Sequence, residues 1–441
     1  MRAVAVPEPR PRRGTAVALT ILALALSLGA YVLAGLGRRG RVPVTFLLYG
    51  SIFAVGFLVA HLAIRRFAPR ADPALFPIAG VLTGIGFAMI FRLDGSLAAE
   101  QSTWIVVGLV LFVVTLVVIR DHRQLDAYTY TIGLAGLVLL LLPIVPGLGA
   151  TINGARLWVS VGPFTVQPSE LGKVLVVVFL ASYLNAKREL LSIGTSGVGP
   201  FRLPPLKHLA PLVVAWATSL VVLFVEKDLG ASLLYFAIFV VMLWVATARP
   251  AYLLIGLLLF ALGAGLAYAT FGHVQDRVTI WQHALDPNLV HDEGFQLAQA
   301  EFAMAAGGIG GAGLGRGQPG DIPFASTDFV FAAIGEELGL LGAVVVMLMY
   351  LILVGKGFKT SLEQSDGFGK LLAAGLSAIL GLQAFIIIGG VTRVIPLTGI
   401  TLPFVSYGGS SLVSNFILLA LLVRISSGPM PRRRALREAG G

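Results

Sequence analysis

The chain has 441 residues, of which 57% are hydrophobic and only 12% charged, with a formal net charge of +10 and no cysteine. A soluble domain carries roughly 25% charged residues, so this composition, with a mean hydropathy of +0.89, excludes one and points to a bilayer. Without cysteine there is no disulfide framework, thiolate metal site or cysteine nucleophile.

Apolar runs long enough to cross a membrane lie near 15–36, 43–64, 74–92, 104–119, 127–145, 169–185, 208–225, 229–248, 251–271, 328–354, 369–391 and 408–424. They predict an all-α fold, a polytopic membrane bundle of about 12 transmembrane helices. The first run follows Arg10, Arg12 and Arg13, like the charged start of a signal peptide. It exceeds a signal core of roughly 7–15 residues and no small-x-small cleavage site follows, so it reads as a retained span. With both termini cytoplasmic, inner segments hold 22 Lys and Arg and outer ones nine, Lys173 lying within a helix. This is the positive-inside bias, and it explains the basic balance without nucleic acid. Arg38, Arg39 and Arg41 run against it, at the outer tip of the first hairpin.

That orientation sends four polar stretches outward. The first joins 152–158 to 167–173. Pro168 suits a helix start, and Glu170 and Lys173 lie three apart on one helical face, where a structural ion pair or a catalytic pair can form. Trp158 fits either an interfacial belt or an aromatic wall for a sugar ring. The second stretch is the compact turn Glu226, Lys227 and Asp228, otherwise a plain hairpin cap. The third, 272–327, reads as a large outer loop ending in Ser326, Thr327 and Asp328, with Glu336 and Glu337 two turns into the next helix. An acid there is a helix cap or an ionised reactive group. The fourth, 389–411, is dense in proline and glycine, which at membrane depth means backbone buried in protein or lining a wet cavity. Arg393 in that setting suits an anion such as a lipid phosphate. Gly308, Gly310 and Gly313 fit G-x-G-x-x-G only by chance, because no strand precedes them. His273, His283 and His291 match no metal spacing. No internal repeat is visible, which counts against inverted-repeat transporters.

Taken in order, these stretches resemble the SEDS family of bacterial membrane proteins, which includes RodA, FtsW and SpoVE. The resemblance rests on Asn153-Gly154-Ala155-x-x-Trp158, Gln167-Pro168-Ser169-Glu170, Asp228-Leu229-Gly230, and Gly294-Phe295-Gln296 with Gln299. It continues through Thr327-Asp328-Phe329-Val330-Phe331, Gly335-Glu336-Glu337-Leu338-Gly339 and Pro396-Leu397-Thr398-Gly399 to Ser406-Tyr407-Gly408-Gly409-Ser410-Ser411. It covers roughly 75–425. The sequence departs from the family at Ser326, often histidine, at Glu226-Lys227 before Asp228, and at Ala300, often serine.

The resemblance implies a ten-span core at 73–425, preceded by an extra hairpin within 1–72 and followed by a basic tail at 426–441, as in RodA-like members of high-GC Gram-positive bacteria. It implies a peptidoglycan glycosyltransferase that polymerises lipid II on the outer face of the cell membrane, with a class B penicillin-binding protein (transpeptidase) as partner. Asp328 matches the family's catalytic aspartate. Arg156, Trp158, Gln296, Gln299, Thr327, Arg393, Ser406 and Ser410 are the expected substrate contacts, and Glu170, Lys173, Asp228 and Glu336 the polar core. No cofactor is required by the resemblance; a divalent cation, Mg²⁺ or Mn²⁺, is the one candidate to help the pyrophosphate leave. A lipid II flippase and a non-catalytic scaffold are the rival readings.

Overall fold

The computed structural model describes residues 13–152, 155–162, 164–192 and 228–428. Thirteen α-helices form in these residues: α1 (Arg13–Arg39), α2 (Phe46–Phe67), α3 (Leu75–Leu93), α4 (Gly95–Val118), α5 (Thr129–Leu141), α6 (Pro168–Ser192), α7 (Leu229–Thr247), α8 (Pro250–Thr270), α9 (Gly272–His283), α10 (Phe295–Gly307), α11 (Val330–Glu363), α12 (Gly367–Val391) and α13 (Gly409–Ser427). Eleven helical stretches among the described residues are long and apolar enough to cross a membrane. Each falls on a predicted run; the run at 208–225 lies outside the described residues, as do Asn153, Gly154, Glu226 and Lys227.

Helix starts follow from short acidic residues. Asp94, Asp228 and Asp366 accept hydrogen bonds from Ser96 N, Ala231 N and Gly369 N, at 2.7, 2.8 and 2.7 Å, at the heads of α4, α7 and α12. Each cap stabilises its helix by about 1 kcal/mol. α3, α12 and α13 form the centre, with 78% of each apolar stretch buried, against 11% for α8 at the periphery. The extra hairpin packs onto the core through an aromatic cluster: Tyr31 meets Phe91 at 4.8 Å between ring centroids and Tyr49 meets Phe87 at 5.0 Å. Arg38 donates to the Phe91 carbonyl, so the basic hairpin tip sits at the same end of the bundle as the α3–α4 turn.

The all-α membrane bundle expected from the sequence stands, refined at three places. Beside the helices, β1 (Gly149–Ile152), β2 (Ala155–Val161) and β3 (Phe164–Val166) form a small antiparallel sheet in that order. This sheet carries Arg156 and Trp158. The region 272–327 is not an open loop, since it contains α9, α10 and a 3₁₀ turn at Pro319–Asp321. Val274, Val278 and Trp281 recur at helical spacing in α9, a period that the polar residues between them masked. The tenth predicted span, at 328–354, begins at Val330, runs on to Glu363 and breaks at Gly339, whose φ is 67°.

Candidate active site

The glycine-rich segment before Asp328 exists to fill the break in α11. At Gly339 the helix loses its regular backbone bonds, and the loop replaces them. Ala312 N and Gly313 N donate to the Glu336 and Glu337 carbonyls, both at 2.9 Å, while Leu340 N and Leu341 N donate to the Gly308 and Ile309 carbonyls. A Cβ on Gly311 would stand 2.3 Å from Glu337 O, and one on Gly339 2.3 Å from Gly311 N. Glycine is required at both because the two backbones touch. The loop is therefore a brace, tied down along its length.

The stretch 392–411, between α12 and α13, is where the other motifs converge. Tyr407 N donates to the Ser326 carbonyl at 2.7 Å, and Ser406 Oγ to the Thr327 carbonyl at 2.5 Å. Ser410 Oγ accepts from Gln167 N at 2.9 Å. Gly230, beside Asp228, packs so closely that a Cβ there would lie 3.0 Å from the Thr398 carbonyl. Lys173 Nζ donates to Glu170 at 2.5 Å and to Gln383 at 2.9 Å, and Gln383 in turn donates to the Thr401 carbonyl at 2.8 Å. Ser414 Oγ adds a bond to Glu170 at 3.2 Å. A buried ammonium and its carboxylate are thus both satisfied by neighbours on other helices, as low-dielectric surroundings demand.

Asp328 does not cap α11. The helix takes Phe329 as its N-cap and has no side-chain capping bond. The carboxylate turns instead to Gly399: Asp328 Oδ2 lies 3.7 Å, and Arg277 Nη2 4.0 Å, from the point where a Gly399 Cβ would stand. Arg277, on α9, is aimed by its Nη1 bond to the Leu397 carbonyl at 2.6 Å. Part of Asp328 stays accessible, but enclosing protein dominates and burial raises its pKa to about 6. The Arg277 charge and the Thr327 hydroxyl oppose that rise and the Asp228 charge adds to it. Asp228 is itself pushed up, chiefly by burial. The result is a carboxylate that is largely ionised at neutral pH yet basic enough to accept a proton in a reaction.

The sequence reading missed Arg277 and Glu301. Glu301, on α10, ion-pairs with Arg393 at 3.0 Å, while Arg393 also donates to the Trp281 and Gln282 carbonyls and Trp281 Nε1 donates back to the Arg393 carbonyl. Arg393, expected to contact an anion, holds α9 and α10 against 392–399 through these bonds. Arg156 donates to the Val145 carbonyl at 3.0 Å, and Trp158 pairs with Ala150 across the small sheet. Gln296 and Gln299 share one face of α10, partly exposed. Glu336 accepts from Gln318 N at 2.6 Å, and Glu337 pairs with Arg92 at 3.0 Å. Only Arg277's position on an amphipathic outer segment hinted at its role.

The family model described as "Cell cycle protein", FtsW/RodA/SpoVE, matches residues 75–429. The chain belongs to the FtsW/RodA/SpoVE family. It is 47% identical over 408 residues to proteins named peptidoglycan glycosyltransferase RodA from Mycobacterium tuberculosis and Mycobacterium bovis, covering 90% of this chain and 86% of theirs. A probable peptidoglycan glycosyltransferase FtsW of Geobacter metallireducens is 33% identical, covering 81% of this chain and 95% of that one. Among solved structures, a chain from work on the structural coordination of polymerization and crosslinking by a peptidoglycan synthase complex is similar at TM-score 0.66 and 27% identity, covering 81% and 97%. Thermus thermophilus RodA is similar at TM-score 0.57 and 25% identity, covering 82% and 98%. The family match starts at residue 75, so α1 and α2 lie before it.

Proposed function

We propose that this family member is a peptidoglycan glycosyltransferase that polymerises lipid II on the outer face of the cell membrane, with Asp328 as its general base. The observation that carries the assignment is the Asp328 carboxylate, unused as a cap, raised to about 6 and facing Arg277 across Gly399. The names of the RodA and FtsW relatives support the reaction class.

In the reaction, the acceptor's GlcNAc 4-hydroxyl attacks the donor's MurNAc anomeric carbon. Asp328 takes the hydroxyl proton as the new C–O bond forms, and the bond to the lipid pyrophosphate breaks, its electron pair leaving with the pyrophosphate. A single carboxylate acting as base, with no carboxylate nucleophile, implies direct displacement and inversion. Negative charge builds on the departing pyrophosphate, and Arg277, which faces Asp328 across Gly399, is a cation placed to meet it. Mg²⁺ commonly takes one or two carboxylates plus substrate phosphates. Among the described residues no group of three or more His, Asp or Glu gathers that could hold a metal ion through protein ligands alone, so a divalent cation here would rely on the substrate's phosphates for most of its ligands.

The partner belongs to the same reading. An apolar groove of about 580 Å³ runs between α11 and α12 and includes Gly335, Gly381 and Gly389 in its wall. Small residues let a helix approach closely within a membrane, which suits the membrane helix of a class B transpeptidase. The test is glycan-strand formation from labelled lipid II by the purified complex. Asp328→Asn keeps size but cannot take the proton, and polymerisation falls by about 10²–10⁴-fold with transpeptidase binding intact. A scaffold, or a flippase needing only binding at this position, would be indifferent to the change, and near-normal polymerisation removes Asp328 from the mechanism.

A further inference from the structure

The end of α1 touches the brace behind the active site. Gly37 lies so close to the loop that a Cβ there would stand 1.9 Å from the Leu314 carbonyl oxygen. In the other direction, a Cβ on Gly315 would stand 2.5 Å from the Ala34 carbonyl oxygen and 2.7 Å from Arg38 N. Backbone therefore meets backbone, with glycine on both sides. From this contact a continuous set of bonds runs to the catalytic half of α11. Gly315 N donates to Glu337 Oε2 at 2.8 Å, and Arg92 bridges Glu337 at 3.0 Å and the Gly317 carbonyl at 2.6 Å. Gln318 N donates to Glu336 Oε1 at 2.6 Å. Glu336 and Glu337 are both buried on the short helical segment that starts two residues after Asp328.

We propose that α1, which lies before the residues the family model matches, is a positioning element for the active site, with Gly37 as its positioning residue. It presses the loop 313–318 onto Glu336 and Glu337 and so fixes the half-helix that presents Asp328. Two of the loop's polar anchors would otherwise be buried carboxylates short of donors, a state that costs about 1–3 kcal/mol per lost bond. The coupling thus has a physical carrier: the loop cannot shift from α1 without loosening the Glu337 bonds.

The proposal rests on the glycosyltransferase reading for its activity readout but not for its structural one. Gly37→Ala is the informative variant, because alanine raises helix propensity by about 1 kcal/mol relative to glycine, so any loss comes from displacing the loop. Gly29→Ala, on the same helix with nothing within 4 Å of its Cβ, is the control. In the full-chain protein, with its transpeptidase and labelled lipid II, Gly37→Ala should lower kcat on the order of tenfold to a hundredfold, since misplacement by about 1 Å costs that much. KM, partner binding and folded yield should match the control. Amide hydrogen exchange across 313–318 and 330–338 should quicken in Gly37→Ala and not in Gly29→Ala. Equal exchange and equal kcat in the two variants overturn the proposal, as does a kcat loss that only follows lost folded protein. If the wild type makes no glycan, the function reading fails, and hydrogen exchange still decides whether α1 holds the half-helix.

Discussion

Asp328 sets the expected pH dependence. With its pKa raised to about 6, the base form declines below that pH, and polymerisation falls about tenfold per unit further down. Arg277 opposes the rise, so Arg277→Gln should move the acid limb of kcat upward. An unchanged limb would separate the two residues. The same shift has a stability consequence. A folded-state pKa above the ordinary 3.8 means the protonated acid is favoured in the fold, so this contribution is present below the ordinary value and lost as pH rises through about 6. Asp328→Asn should therefore melt higher than wild type at about pH 8, the gap closing toward about pH 4. Glu170 and Lys173 behave differently, because each is neutralised by the other. Either single change to Ala leaves a buried charge alone, costing about 3–5 kcal/mol. The double change should recover part of this and not all, since Gln383 and Ser414 also lose partners. Strictly additive losses in folded yield would show that the pair is uncoupled. That pair was legible from i,i+3 spacing alone, whereas Arg277 meets Leu397 across 120 residues and Arg393 meets Glu301 across 92, separations no local pattern encodes.

At the scale of elements, hydropathy found every spanning helix among the described residues, because a bilayer leaves few ways to satisfy a backbone. It did not find α9, α10 or the small sheet, whose residues are mixed in polarity and whose shape depends on packing at the bundle's end. The break in α11 was half visible: the glycines were apparent, but not that Gly311 and Gly339 face each other. Their contact makes a sharp expectation. Gly339→Ala must place a Cβ at positive φ and 2.3 Å from Gly311 N, so it should lower the melting temperature and activity together. Gly355→Ala, further along α11 with open space around its Cβ, should be neutral or gain about 1 kcal/mol from helix propensity. Equal behaviour of the two variants would mean the break tolerates a side chain.

For the whole molecule, the decisive expectation is orientation. The site groups all gather at one end of the bundle: the α9 and α10 region, the small sheet leading to Gln167, Asp228 at the head of α7, and 392–411. The tip of the extra hairpin joins them, since Gly37 abuts Leu314 and Arg38 reaches Phe91. That placement puts Arg38, Arg39 and Arg41 at the same end as the site groups despite their charge, so the hairpin tip and the site should share one side of the membrane. The opposite end collects Arg65, Arg66, Arg123, Lys356 and Lys359, with Asp366 pairing Arg123 and Asp72 pairing Lys356. An anionic cytoplasmic leaflet would attract such a basic end by about 1 kcal/mol per residue near the surface, which makes it the end expected inside. Reporter fusions should accordingly read outside at residue 290 and at residue 41, and inside at residue 120 and at the carboxyl terminus. Residue 41 is the sharpest of these, because the local charge rule alone would place it inside. An inside reading there with an outside reading at 290 would detach α1 from the loop at Leu314, and an inside reading at 290 would put the proposed base on the wrong side of the membrane from the growing wall.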